Sequence, residues 1–391
     1  MRRNLARQIQ PRLLYAITAA AIVAASAGCG SSSTSTSAPT SAPASGSAVA
    51  SGGSDPQVQA ALGAVRQAMA APTGIGVTAP LATKPPAGKT LVWLQCDAAQ
   101  CAQVTDAFKP AVAAVGWHLK TVGYQSANPA TLVAAMRQAL QYHPVAVSLV
   151  AEPYAVWQSE VPAYKAAGVA IIPQEVGTAP VDSTVIANIQ DPTALGAQAQ
   201  AIANWVIADS GGKAHVLLYS VPDFTSILSY QQAFMSYMAS HCAACKVTLL
   251  TQSAAQVLGG GANNAIVSAI QRDSSIKYAV SVDAQLTPGL EQSLTAAGIQ
   301  GVKVAGSFMG QRDEAAIAAG TEAAGTPQAL NITAWRTVDV ALRHLEGLPI
   351  APDDGDFPTQ LLVQSNVGTP SDSYSQPPNY QSLYEQLWKV G

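Results

Sequence analysis

Between residues 89 and 363 the sequence alternates between short runs that are apolar throughout and longer runs with one apolar face. A strand covered on one side alternates apolar and polar residues. A run apolar at every position belongs to a strand covered on both sides, which points to a parallel sheet between helical layers. The first set of such strands falls at residues 91–94, 118–122, 145–150, 169–172 and 185–189, with helices predicted over 104–115, 129–140 and 154–167. Pro129 suits a first helical turn and Gly168 a helix stop. A second set follows, with strands at 216–219, 247–250, 278–282 and 302–305 and helices at 192–208, 224–238, 263–271 and 286–297. Asp191 is the N-cap expected before the first of these helices. A long helix over 329–346 and a final apolar strand over 360–363 complete the pattern. The expected fold is α/β, with two doubly wound parallel-sheet lobes. A length of 391 residues suits two such units, at roughly 150 residues each. Ligands of such sheets sit beyond the carboxyl ends of the strands, so residues just after strands are the functional candidates.

The front of the chain carries a different message. Arg2, Arg3, Arg7 and Arg12 form a basic start, and residues 13–25 an apolar run. That run is short of the roughly 20 residues that span a bilayer and fits a secretory signal. Ser26, Ala27 and Gly28 lead to Cys29. The stretch resembles a bacterial lipoprotein signal, cleaved before a cysteine that receives lipid, although Ser26 stands where an aliphatic residue is usual. Residues 1–28 are thus expected to be the signal and Cys29 the lipid attachment. Residues 29–54 read as a tether, because positions 30–54 hold only Gly, Ser, Thr, Ala, Pro and Val. Residues 55–88 read as a short helix, with Val58, Leu62, Val65 and Met69 on one face, followed by a Pro-rich linker. The mature protein is expected outside the cytoplasm, anchored to the membrane.

In such an oxidising compartment the remaining cysteines, Cys96, Cys101, Cys242 and Cys245, can pair in three ways. The local pairs Cys96–Cys101 and Cys242–Cys245 need no assumption about the fold. Cys242-Ala-Ala-Cys245 has redox spacing, but it follows a helix instead of opening one, so a structural staple is the better reading.

Several phrases then fall in a characteristic order: Ala113-Ala114-Val115-Gly116-Trp117, Ala166-Ala167-Gly168-Val169 before a strand ending at Pro173, Val282-Asp283 before a segment ending Ala-Ala-Gly-Ile, and Val302-Lys303-Val304-Ala305-Gly306. Together they resemble the type I periplasmic solute-binding proteins, the ribose-related sugar binders of ABC transporters. The short cysteine pairs resemble actinobacterial extracytoplasmic members. The resemblance implies two lobes joined by three crossings, closing on a small solute that is delivered to an ABC-type permease. Lobe one would comprise residues 89–188 and 327–348, lobe two residues 189–326 and 359–366, with a tail at 367–391. The tail carries Tyr380, Leu383, Tyr384, Leu387 and Trp388 at near-helical spacing and is expected to dock.

Strand ends and the resemblance nominate the ligand-binding residues Gln95, Asp97, Glu152, Tyr154, Gln174, Glu175, Phe224, Tyr230, Asp283, Phe308 and Gln328. Carboxylates and amides pair with hydroxyls, and aromatic faces pack on sugar rings. Two departures from the sugar binders stand out. Tyr230-Gln231 replaces an arginine on the first helix of lobe two, and Gly306-Ser307-Phe308-Met309 lacks the expected aspartate. The expected solute is therefore a sugar or a less polar sugar-like metabolite, with a typical free pentose or hexose disfavoured by these two departures.

Other chemistry finds little support. The net charge of −3, with only 11% charged residues, argues against nucleic acid as a partner. No nucleophile elbow, HExxH or Walker loop is present, so no catalytic residue, cofactor or metal is assigned. The five histidines are scattered without metal spacing. The reading is a monomeric solute-binding lipoprotein that is not an enzyme. The alternatives are a sensory lipoprotein presenting its closed form to a membrane receptor, or a surface protein whose cleft no longer binds.

Overall fold

The structure is a computed structural model, described here for residues 55–177, 179–350, 357–371 and 373–391. The signal, Cys29 and the tether lie outside the described residues.

The elements run α1 (Pro56–Ala68), β1 (Thr90–Gln95), α2 (Ala99–Ala114), β2 (His118–Gly123), α3 (Pro129–Leu140), β3 (Ala146–Val150), α4 (Tyr154–Trp157), α5 (Val161–Ala167) and β4 (Ala170–Gln174). Then come α6 (Pro192–Asp209), β5 (His215–Ser220), α7 (Thr225–His241), β6 (Lys246–Thr251), α8 (Ala254–Leu258), α9 (Ala262–Arg272) and β7 (Tyr278–Ser281). The chain continues through α10 (Leu290–Ala296), β8 (Lys303–Met309), α11 (Gln311–Ala319), β9 (Ala324–Pro327), α12 (Leu330–Glu346) and α13 (Tyr380–Trp388).

Two all-parallel sheets result, ordered β2-β1-β3-β4 and β6-β5-β7-β8-β9. The fully apolar strands are buried on both faces, as Leu91–Leu94 in β1 and Val216–Tyr219 in β5 show. One core gathers β1 to β4 with α2, α3, α12 and α13; the other gathers β5 to β8 with α1, α6, α7 and α9. We call these lobe one and lobe two. Helix starts follow local chemistry: the Asp191 carboxylate accepts from the amides of Thr193 and Ala194 at 2.8 and 3.1 Å. Gly168 ends α5 at φ 66°, a left-handed turn that a side chain would disfavour.

Some predicted elements differ. The helix expected over 154–167 is broken into α4, a 3-10 turn at Gln158–Glu160, and α5, with Pro162 in the first turn of α5. Pro162 has no amide hydrogen to donate back to an earlier turn. The helix expected over 286–297 starts only at Leu290, after Pro288-Gly289. Residues 185–189 lie beside β4 through single bridges at Val185 and Ile189 and do not form a full strand. The strand expected at 360–363 is a single antiparallel bridge from Leu362 to Gly325. That edge position belongs to β9, whose Ala-Gly-Thr-Pro sequence looks like a turn and gave no strand signal.

The tail does dock. Trp388 stacks on Trp335 of α12 at 5.1 Å between ring centroids, and Trp388 Nε1 donates to Asp339 at 2.9 Å.

Candidate functional site

The carboxyl ends of strands from both lobes meet in one region. The chain leaves β4 at Gln174, and the next residue, Glu175, has a left-handed backbone with φ 57°. Ala151, after β3, has φ 57°, and Phe308, near the end of β8, has φ 51°. Such backbones at non-glycine residues cost roughly 1–3 kcal/mol each and persist only where the surroundings hold them.

A hydrogen-bond chain runs through this region from one lobe to the other. Asp283 follows β7 and caps the 3-10 turn Ala284–Leu286, its Oδ1 accepting from the Gln285 amide at 2.9 Å. Gln285 Nε2 donates to Gln328 Oε1 at 2.9 Å and to the Phe308 carbonyl at 2.6 Å. Gln328, on the crossing after β9, hydrogen-bonds through its side chain to the Glu175 carboxylate. Glu175 is 6% exposed. Burial pushes its carboxyl up to about 7, against the opposing effect of the Gln328 bond. Asp283 keeps some residue surface, yet its carboxyl lies deep and is pushed up to about 8. Burial is the main cause, and the negative charges of Glu175 and Asp313 add to it.

On the lobe-one side, Glu152 is raised by burial and by Asp97, while the adjacent Tyr124 hydroxyl opposes the shift. Burial, with Glu152 beside it, raises Tyr124 as well. Tyr124 is 5% exposed, and its hydroxyl has no hydrogen-bond partner of good geometry. A cavity of about 220 Å³ opens beside Gln285, walled by Gln103 of α2 on one side and by Pro288, Gly310, Arg312 and Asp313 of lobe two on the other. The lobes touch nearby: Thr225 Oγ1, at the start of α7, donates to the Ala151 carbonyl at 3.4 Å. Gly177 approaches the same helix so closely that a Cβ there would lie 2.8 Å from Ser229 Oγ.

The nominated residues divide between this region and the lobe interiors. Glu175, Asp283 and Gln328 come together, and Phe308 joins them through its carbonyl, its ring being buried. Asp97 and Glu152 form the smaller group with Tyr124. Gln174 is 1% exposed and donates to Ser148 and Thr337, so its amide ties β4 to α12 inside lobe one. Tyr230 is fully buried in α7, its hydroxyl accepting from Ser307 Oγ at 2.7 Å. Phe224 packs against the lobe-two core as the N-cap of α7. Gln95 accepts from Thr105 at 2.5 Å, and Tyr154 lies edge-on to Trp157 at 4.8 Å. Sequence reasoning passed over Tyr124 and Gln285. Each sits one or two residues beyond a strand end or a nominated residue, so the same rule applied one step further would have reached them.

Both local disulfides are present, Cys96–Cys101 and Cys242–Cys245. The first joins the end of β1 to α2, and the second staples the turn after α7. Among the described residues no group of three or more His, Cys, Asp or Glu converges on a metal position. No helix among them is long and apolar enough to cross a membrane.

No known family profile matches the chain, and neither does any curated protein. Solved structures do match. The chain is similar to an ABC sugar transporter subunit from Rhodobacter sphaeroides, at 17% identity and a TM-score of 0.60, over 72% of this chain and 99% of that one. It is also similar to an ABC transporter solute-binding protein from Agrobacterium vitis with bound allitol, at 18% identity and TM-score 0.59, over 71% and 97% of the two chains. A structure from Bacteroides fragilis, described as a putative LacI transcriptional regulator, matches at 14% identity and TM-score 0.61, over 72% and 98%. The fold is therefore that of the type I periplasmic sugar-binding proteins.

Proposed function

We propose that this chain is an extracytoplasmic solute-binding lipoprotein that captures a small sugar-like molecule between its lobes and delivers it to an ABC-type importer. The observation that carries the reading is the chain Glu175–Gln328–Gln285–Asp283, which sets hydrogen-bonding groups from both lobes around one interlobe region. A polar array built from two bodies suits a ligand that both must grasp. Lobe one would take residues 89–188 and 327–348, and lobe two residues 189–326 and 359–366. Cys29 would carry the lipid, leaving a monomer tethered outside the cytoplasm. The solved sugar transporter subunits that share the fold support this reading over an enzyme.

The test is thermal unfolding of the full-length chain, purified in detergent, against a library of sugars, polyols, aromatics and small peptides. A ligand at 100 times its Kd adds about 2.7 kcal/mol, a rise of several degrees. A shift with one chemical class, lost in Gln285→Ala with the unliganded transition intact, is the expected result. No shift with any solute would refute capture.

A further inference from the structure

The hydrogen-bond capacity of the interlobe region is unbalanced. Gln285 spends both amide hydrogens, on Gln328 and on the Phe308 carbonyl. Gln328 Oε1 is taken by Gln285, so its bond to Glu175 must come from its own amide hydrogens. With the carboxyls ionised, what remains at the centre is mostly acceptor: the rest of the Glu175 carboxylate, the Asp283 carboxylate beyond the bonds from the Gln285 and Leu286 amides, and Gln285 Oε1. The charges acting on Asp283 are those of Glu175 and Asp313, both negative. Glu152 and Asp97 add two more carboxylates on the lobe-one side, beside the buried Tyr124 hydroxyl that lacks a well-placed partner. The cation among the cavity residues is Arg312, at the cavity wall beside Gly289, where its charge acts on Asp313 and Glu322.

Building on the solute-capture reading, we infer that the solute is a cationic polyol, a sugar-like molecule bearing a protonated amine. Its ammonium group would sit among Glu175, Asp283 and the free Gln285 oxygen. An ammonium brings three donors and one positive charge, and buried carboxylates are tolerated when paired in this way. The absence of an arginine on α7, which from sequence suggested a less polar solute, becomes the absence of a counter-charge that the ligand supplies. The raised carboxyls are consistent, since burial without a cation disfavours their charged forms.

The test is calorimetric titration of the full-length chain at pH 7 with matched pairs: D-glucamine against D-sorbitol, D-glucosamine against D-glucose, and D-galactosamine against D-galactose, with N-acetyl-D-glucosamine as a neutral amide. At least one amine should bind about tenfold to a hundredfold tighter than its neutral partner, the range of a charge-assisted hydrogen bond. That preference should vanish in Glu175→Gln/Asp283→Asn, whose unfolding midpoint checks that it folds. Neutral partners that bind as tightly as the amines overturn the inference and leave capture standing. If none of these probes binds but the wider library yields a neutral ligand, the inference again falls alone. If the library yields nothing, both readings fall.

Discussion

At the scale of single residues, the behaviour of three carboxyls is the sharpest consequence of the fold. Glu175 and Asp283 are raised to about 7 and about 8, and Glu322 to about 9 by burial together with Asp313 and Glu291, with Arg312 opposing. Their unfolded values lie near 4. The folded state therefore holds these protons more tightly. The stability they lend is complete below about pH 4 and is lost as pH rises through about 7 to 9. The unliganded protein should accordingly lose thermal stability from about pH 4 upward, most steeply up to about 7 and less so up to about 9. Glu322→Gln should make that slope shallower throughout and remove it between about 8 and 9, while Glu175→Gln/Asp283→Asn should make it shallower only up to about 8; parallel slopes for wild type and variants would refute the assignment. In sequence, Glu175 and Asp283 stand out as candidates because a residue just past a parallel strand faces the sheet's carboxyl edge. Gln174 and Tyr230 follow the same logic but turn inward. Ser148 and Thr337 bind the first and Ser307 the second, and these partners lie far away in sequence.

At the scale of elements, α13 and α12 form one packed unit. Trp388 and Tyr384 are fully buried against Trp335, and Asp339, beneath them, accepts from Trp388 and pairs with Arg343 at 2.7 Å. The pair is 1–3% exposed at its side chains, so it needs every partner it has. Trp388→Ala should destabilise lobe one by about 3–5 kcal/mol, through lost packing and an unfilled space, as denaturant unfolding would measure. A change under about 1 kcal/mol would mean the tail is only loosely attached. Most strands and long helices were legible because each carries its own period. The α11 and β9 elements were not: residues 311–319 are polar on much of their surface, and β9 is short, with Gly325 and Pro327. β9 is a strand only because β8 lies beside it.

At the scale of the whole molecule, the chain passes between lobes more often than the expected three crossings. Helix α1 packs on α6 of lobe two, with Val58, Ala61 and Val65 buried. The chain then reaches lobe one, where Ile75 and Leu81 join the core and the Ile75 carbonyl accepts from Arg336 at 2.6 Å. A second added strap runs from Leu361, in the lobe-two core, to Tyr374 and α13 in lobe one. Such straps are expected to limit how far the lobes can part. Cleaving an engineered protease site between residues 69 and 75 should leave both lobes folded but raise the radius of gyration of the unliganded protein in solution scattering. An unchanged radius would show that this strap does not restrain opening.

What is local or periodic can be read from the order of residues. Apolar strands alternating with amphipathic helices dictate parallel sheets in two blocks, and short cysteine spacings allow local disulfides. Residues after strands mark the edge where a ligand could bind. Which of those residues share one space, and what capacity they have left, follows from the folded arrangement alone. A side chain's free donors and acceptors depend on partners brought from distant segments: Gln285 is consumed by Phe308 and Gln328, and Glu175 faces Asp283 from the other lobe. Hydrogen bonding and desolvation act over a few ångströms of space, whatever the separation along the chain. For that reason the strand ends that nominate a candidate site are readable from the order of residues, while its acceptor-rich, acidic character emerges only from the folded arrangement.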